Sequence, residues 1–446
     1  MADELARKLP RYPVVPAALL GRLAVAKSHQ GRGLGGVLLG DAVLRTARAG
    51  LGVFALIVDA KDEAARRFHQ HHGFTLLTGD LRRLCLPLSI HFADRTNRGL
   101  PVRYTATITP MYKIFFSALA TATIVAAQPA SLVDIHQLTH GGQNAEAYWA
   151  PDGKRLIFQT TRPPYDCDQI FLMNADGSDQ HLVSTGKGRT TCGYFLGDNK
   201  HIVYASTHLS DAACPASPDR SRGYLWGVFS GYDIFLATDD GKIEKRLTDT
   251  PGYDAEATVN WKTGTIVYTS LASHDLDLWT MKPDGSAKKQ ITRKPGYDGG
   301  AAFSRDGSKL VWRANYPQTD ELMATYKALL ADNLTAPMKM EIVVAKADGS
   351  DPKTITHFGC ASFAPTFTPD GKQILFASNK HDCDSRYFEL YKINLDGTGL
   401  EQVTNFGGFT SFPEFAPDGK TLVFCSDRDA KERYEFNIFT AKWANR

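Results

Sequence analysis

A chain of 446 residues with 43% hydrophobic and 11% aromatic residues has ample material for a core and is too long for one ordinary domain, so at least two are expected. The net charge of +3 hides an asymmetry: residues 1–110 carry 16 Lys and Arg against 8 Asp and Glu, and the remainder 35 against 40. No apolar run reaches the roughly 20 residues that a membrane-spanning helix needs.

The basic and acidic parts read as different proteins with different partners. Six of the seven cysteines fall after residue 160, which hints that the second part resides where disulfides persist.

In the basic part, Leu20 to Ala26 has the pattern of a strand, and a helix-period run extends through Arg48. Between them lies the turn Gln30-Gly31-Arg32-Gly33-Leu34-Gly35. A glycine-rich turn between strand and helix directs free backbone N–H groups at a helix N-terminus, where they can hold phosphates. The alternative is a glycine-rich loop with no ligand. Phe54 to Asp59 predicts a second strand, and Asp62 to His71 a helix with acidic residues at its start.

Residues 7–87 resemble the C-terminal half of a GNAT acetyltransferase, in the toxin branch of toxin–antitoxin pairs. The resemblance rests on Leu9 to Val14, Gly21 to Val25, the Gln30 to Gly35 turn, Val58 to Ala65, Gly73-Phe74 and Arg82 to Pro87. It implies acetyl-CoA as cofactor, its pyrophosphate on Gln30, Gly31, Arg32, Gly33, Leu34 and Gly35, and its pantetheine arm along Ala24 and Val25. The acceptor it implies is the amine of an aminoacyl-tRNA, and the basic charge fits an RNA partner as well as it fits a solvated surface. The family's general acid, a Tyr, is replaced here by His69. Histidine can carry a proton near neutral pH; equally, His69 reads as one of three helix-end histidines with His71 and His72. The strands and helices that form the family's N-terminal half do not precede Leu20, so residues 1–88 are expected to be a partial, inactive domain.

Residues 89–110 read as a linker. Residues 111–127 have the three-part form of a secretory signal: a basic start at Met111-Tyr112-Lys113, an apolar stretch, and small residues ending at Ala127. The alternative is a buried helix between domains. A periplasmic protein is expected if translation starts at Met111, and a cytoplasmic one if the chain is made as written.

The rest of the chain, residues 128–446, is built from repeats. The hairpin Thr368-Pro369-Asp370-Gly371-Lys372 has Pro at its first corner and Gly where φ must be positive, with alternating apolar residues after it. Equivalent hairpins sit at Asp152, Asp198, Lys262, Asp306 and Asp418. A second hairpin follows five of the six, at Asp176, Asp240, Asp284, Asp348 and Asp396. Two hairpins per repeat make four strands, so the expected fold is mainly β, a six-bladed propeller behind a partial α/β segment. The sixth repeat lacks its fourth strand, and Ile135 to His140 is expected to supply it.

This part resembles TolB-like propellers through its Pro-Asp-Gly-Lys hairpins, its Asp-Gly-Ser/Thr hairpins and the linkers Thr248–Asp254 and Thr292–Asp298. The resemblance implies a periplasmic, monomeric binding module for an envelope protein or cell-wall component, with no reaction of its own. Candidate residues at the ring's face are Glu146, Tyr224, Trp226, Asp254, Glu256 and Asp298. Carboxylates there can hold a cation or polar ligand, or instead cap turns and bond neighbouring blades. Tyr224, Trp226, Arg220 and Arg222 suit a protein-binding surface. Five scattered histidines, His140, His208, His274, His357 and His381, lack metal-site spacing, so no metal is expected. One bridge is expected between Cys360 and Cys383, another among Cys167, Cys192 and Cys214, and Cys425 is expected to be a buried thiol.

Overall fold

The computed structural model describes residues 17–20, 35, 38–39, 42, 55–72, 74–76, 83–87, 132–219, 221 and 223–444. The linker, the signal-like segment, Arg220, Arg222 and the turn residues Gln30 to Leu34 lie outside the described residues, as do Ala24 and Val25. The chain divides into two compact units, residues 1–123 and 124–446.

In the first unit, Ala17–Leu20 runs parallel to Ala55–Asp59, which pairs antiparallel with Arg83–Pro87; Thr75–Leu76 completes the sheet. Helix α1 (Glu63–His71) begins where Asp62 Oδ1 accepts the Ala65 N–H at 2.8 Å, an N-cap that uses the acidic residue expected there. Leu56, Val58, Phe74 and Leu84 form its core.

The second unit is a ring of six four-stranded antiparallel sheets. The first strands of the blades are Gln143–Trp149, Thr190–Phe195, Asp254–Val259, Tyr297–Phe303, Ser362–Phe367 and Thr410–Phe415. Each touches the first strand of the next blade, and the sixth touches the first, so these strands surround the axis. The hairpins form for the reasons read in the sequence. Gly371 takes φ 67° while Asp370 Oδ1 accepts the Lys372 N–H at 3.1 Å. At the second hairpin of that blade, Gly397 has φ 89°, and a Cβ there would press within 2.9 Å of the Ile355 carbonyl in the neighbouring blade.

Closure uses the expected strand. Leu132–Gln137 pairs antiparallel with Asn437–Trp443 and becomes the fourth strand of the last blade, beginning three residues earlier than the sequence suggested. Asn144, fully buried, secures the seam. Its Nδ2 donates to the carbonyls of Phe436 at 2.9 Å and Gly141 at 2.8 Å, while its Oδ1 accepts from Thr160 Oγ1 at 2.8 Å and Arg162 Nη2 at 2.7 Å. The core consists of apolar clusters sandwiched between successive blades, with Phe158, Tyr204, Trp312, Phe376 and Phe424 fully enclosed.

Two disulfides form, Cys167–Cys214 and Cys360–Cys383; Cys192 and Cys425 are free thiols, Cys425 buried in its strand.

Candidate functional site

Each first strand contains a bulge, and the bulged residue always lies six positions before the turn residue of its hairpin. These residues are Glu146, Cys192, Glu256, Gly300, Ala364 and Phe412, all with φ between 50° and 59°. A non-glycine residue enters this left-handed region at a cost of about 1 kcal/mol or more. The bulge breaks the strand's strict alternation. It brings the bulged side chain and the one two residues later to the axis, where they line a cavity of about 90 Å³.

The lining is lopsided. Blades one, two, three and six contribute Glu146 and Tyr148, Cys192 and Tyr194, Glu256 and Thr258, and Phe412 and Glu414, whereas blades four and five contribute the smaller Gly300 and Ala302, and Ala364 and Thr366. Into the space at Gly300 comes Arg313, from the second strand of blade four, paired in register with Gly299. A methyl group at Gly300 would overlap Arg313 Nη1, so the absent side chain is what admits the guanidinium. Arg313 is only 7% exposed; its Nη2 donates to Glu256 Oε1 of blade three and, at 2.7 Å, to the Tyr297 hydroxyl. Glu256 Oε2 accepts from Thr269 Oγ1 at 2.7 Å and from the Gly300 N–H at 3.0 Å.

Glu414 bridges blades. Its Oε2 accepts the Trp149 N–H at 2.7 Å and its Oε1 the Tyr194 hydroxyl at 2.9 Å. Burial pushes its carboxyl up to about 8 despite those donors, and pushes Glu146 up to about 7 despite the Cys192 thiol beside it.

Two insertions meet above this axis. The loop between the second and third strands of blade two, and the equivalent loop of blade four with helix α2 (Asp320–Ala331), join through a two-residue ribbon pairing Trp226 with Thr335. Trp226 is half-buried, with the Arg313 guanidinium 5.0 Å from its ring and Phe363 of blade five 5.9 Å away, edge-on. Tyr224 is 54% exposed, its hydroxyl accepting from Trp226 Nε1 at 3.2 Å.

The structure thus brings Glu146, Glu256 and Trp226 to one end of the same axis, with Tyr224 outside it. Asp254 and Asp298 sit elsewhere, buried within blades. Asp254 Oδ2 accepts from Thr250 Oγ1 at 2.6 Å; Asp298 Oδ1 accepts from Trp312 Nε1 at 2.6 Å and the Tyr316 hydroxyl at 2.5 Å, and burial lifts its carboxyl to about 7. Arg313, Glu414, Tyr148 and Tyr194 were not singled out from the sequence. Aligning the six hairpins and counting back six and four residues finds all of these but Arg313, which reaches the axis from a second strand. Among the described residues, no group of three His, Cys, Asp or Glu could hold a metal ion.

In the first unit, His69 is buried at 5% exposure, edge-on to Phe68 and Phe74, with its Nδ1 lacking a hydrogen bond. Burial, and then the nearby His72, hold it below the ordinary histidine range. Of the cofactor turn, only Gly35 is described; a Cβ there would lie 3.2 Å from the Phe68 ring.

Residues 335–441 match the family of the TolB beta propeller domain, and residues 6–76 that of the Acetyltransferase (GNAT) domain. Over 74 residues, 16% of this chain, the sequence is 43% identical to a tRNA-acetylating toxin of Mycobacterium tuberculosis, and the chain spans 45% of that relative's length. A protein assigned as TolB from Agrobacterium tumefaciens is similar at 14% identity over 70% of this chain and 97% of that one, with a TM-score of 0.46. An oligogalacturonate lyase from Vibrio parahaemolyticus is similar at 13% identity over 69% and 93% of the two chains, with a TM-score of 0.41. The chain therefore carries a GNAT acetyltransferase segment followed by a TolB-type β-propeller.

Proposed function

We propose that the propeller is a protein-binding module of the bacterial envelope, engaged at the end of the ring where the insertions lie. One observation carries this reading. Within each blade the first and third connections share one end of the ring, and the second connections share the other with the linkers between blades. Of nine exposed large hydrophobic residues described in the propeller, seven lie at this second end. They include Leu209 and Tyr224 in blade two, Tyr387 in blade five and Tyr434 in blade six, whereas only Leu400 and Val133 lie towards the hairpin end. Exposed apolar groups gathered on one side support a protein interface rather than chance exposure. A photo-crosslinking residue placed in the full chain at Tyr387 is expected to capture a specific envelope protein in living cells. The same residue at Leu400, on the opposite end of the same blade, is expected to capture none. Equal capture at both positions overturns the reading.

A second reading rests on the 43% identity to the tRNA-acetylating toxin: acetyl-CoA-dependent N-acyl transfer to an aminoacyl-tRNA by the first unit. Against its being active stands His69, buried among phenylalanines and lowered in basicity, which suits packing better than proton delivery to a departing thiolate. We therefore read the segment as inactive in transfer. Acetylation of aminoacyl-tRNA by the full chain, lost on Gly33→Glu, would replace this reading with the enzymatic one.

A further inference from the structure

Arg313 and Glu146 are charged groups of the axial cavity that the protein leaves incompletely matched. Glu256 neutralises Arg313, but only through Nη2; Nε of the guanidinium is buried with no partner. Glu414 is satisfied by Trp149 and Tyr194. Glu146 has only the Cys192 thiol, a weak donor. A buried donor or acceptor left unmatched costs about 1–3 kcal/mol, and more when charged. Such groups are therefore expected to face a ligand or solvent.

Their placement is set by the ring. In a six-bladed ring, blade one lies across the axis from blade four, so Glu146 faces the position of Gly300, the space that Arg313 Nη1 occupies. With Arg313 and Glu256 cancelling and Glu414 bonded, the remaining demand is a cation at the Glu146 side and an acceptor oxygen at the Arg313 side. Tyr148 and Ala302 form flanking walls. The volume limits what fits. An engineered cavity of about 150 Å³ holds the six carbons of benzene, so about 90 Å³ holds on the order of four non-hydrogen atoms. The Trp226 ring lies beside the Arg313 guanidinium, 5.0 Å away.

We infer that the axial cavity is a binding site for a small primary ammonium compound bearing one acceptor oxygen, its ammonium on Glu146 and its oxygen on Arg313. Ethanolamine and glycine are the two probes that embody this chemistry, one cationic and one zwitterionic. Ethylamine lacks the acceptor and acetate lacks the ammonium.

Calorimetric titration of the full chain with the four compounds tests the assignment. At least one of ethanolamine and glycine is expected to bind with a Kd below about 1 mM, and ethylamine and acetate at least about tenfold more weakly. Which of the two binds tells whether the site takes a net cation or a zwitterion. Glu146→Gln is expected to weaken binding about tenfold or more. Ala302→Tyr puts in blade four the residue that blades one and two carry as Tyr148 and Tyr194; it fills the cavity without removing a polar group and is expected to abolish binding. The inference is overturned by no heat from either two-ended probe at about 10 mM, by equal affinity for all four, or by unchanged affinity in Glu146→Gln. The last criterion stands even where Ala302→Tyr does not fold.

Discussion

Arg313 of blade four donates to Glu256 of blade three, an ion pair across a blade boundary with Arg313 93% shielded from solvent. Removing one partner of a buried pair strands the other charge, which costs about 3–5 kcal/mol, whereas replacing both is far milder. Arg313→Met is therefore expected to destabilise the propeller by about 3 kcal/mol in urea unfolding, and Arg313→Met with Glu256→Gln to recover at least half of that loss. Additive losses would show that the pair contributes nothing as a pair.

The buried carboxyls give the propeller a pH dependence of predictable sign. Glu146 at about 7 and Glu414 at about 8 both lie above the ordinary glutamate value of 4.5. The native chain thus keeps protons that the unfolded chain releases. Their contribution is intact below pH 4.5 and is lost as pH rises through about 7 and then about 8. Each group steepens the decline by up to about 1.4 kcal/mol per pH unit within its window. Glu414→Gln is expected to flatten the decline between pH 5 and about 8 relative to the parent, measured by urea midpoints. An identical slope in the variant would contradict the assignment.

The seam depends on Asn144. Replacing it with Ala orphans the Gly141 carbonyl, leaves the Phe436 carbonyl with only the backbone N–H of residue 144, and removes the acceptor for Thr160 and Arg162. A loss of about 3 kcal/mol is expected, comparable to other broken buried networks. Thr185→Ala, at an exposed hydroxyl away from the seam, is expected to change stability by less than about 0.5 kcal/mol.

Cysteine labelling distinguishes the thiols directly. Denatured but unreduced protein is expected to take up three alkyl groups, at Cys85, Cys192 and Cys425, and seven after reduction. Seven labels without reduction would remove both bridges. Cys167→Ser with Cys214→Ser, opening a bridge across 47 positions, is expected to cost about 3 kcal/mol.

The architecture was legible because turns are local. Pro369, Asp370 and Gly371 specify their hairpin without help from the rest of the chain, and repetition converts six weak signals into one ring. Glu146 and Glu256 were legible as acidic residues near the face. The bulge that separates them from Asp254 and Asp298 was not, because a left-handed Glu, Cys, Ala or Phe has no compositional mark. Alternation alone assigns Asp254 and Glu256 to one side of a strand. The structure buries the first and turns the second to the axis. Arg313 was hidden for a different reason: its role depends on the missing side chain at Gly300, thirteen residues away and on another strand.

The pairing of Trp443 with Leu132 has a practical consequence. Both ends of the ring emerge side by side at its outer rim, at the end where the polar hairpins turn and farthest from Tyr387 and Tyr434. A tether, tag or surface anchor attached at either terminus of the propeller therefore leaves the apolar end unobstructed. Immobilised through its C-terminus, the ring presents that end to solution in a single orientation.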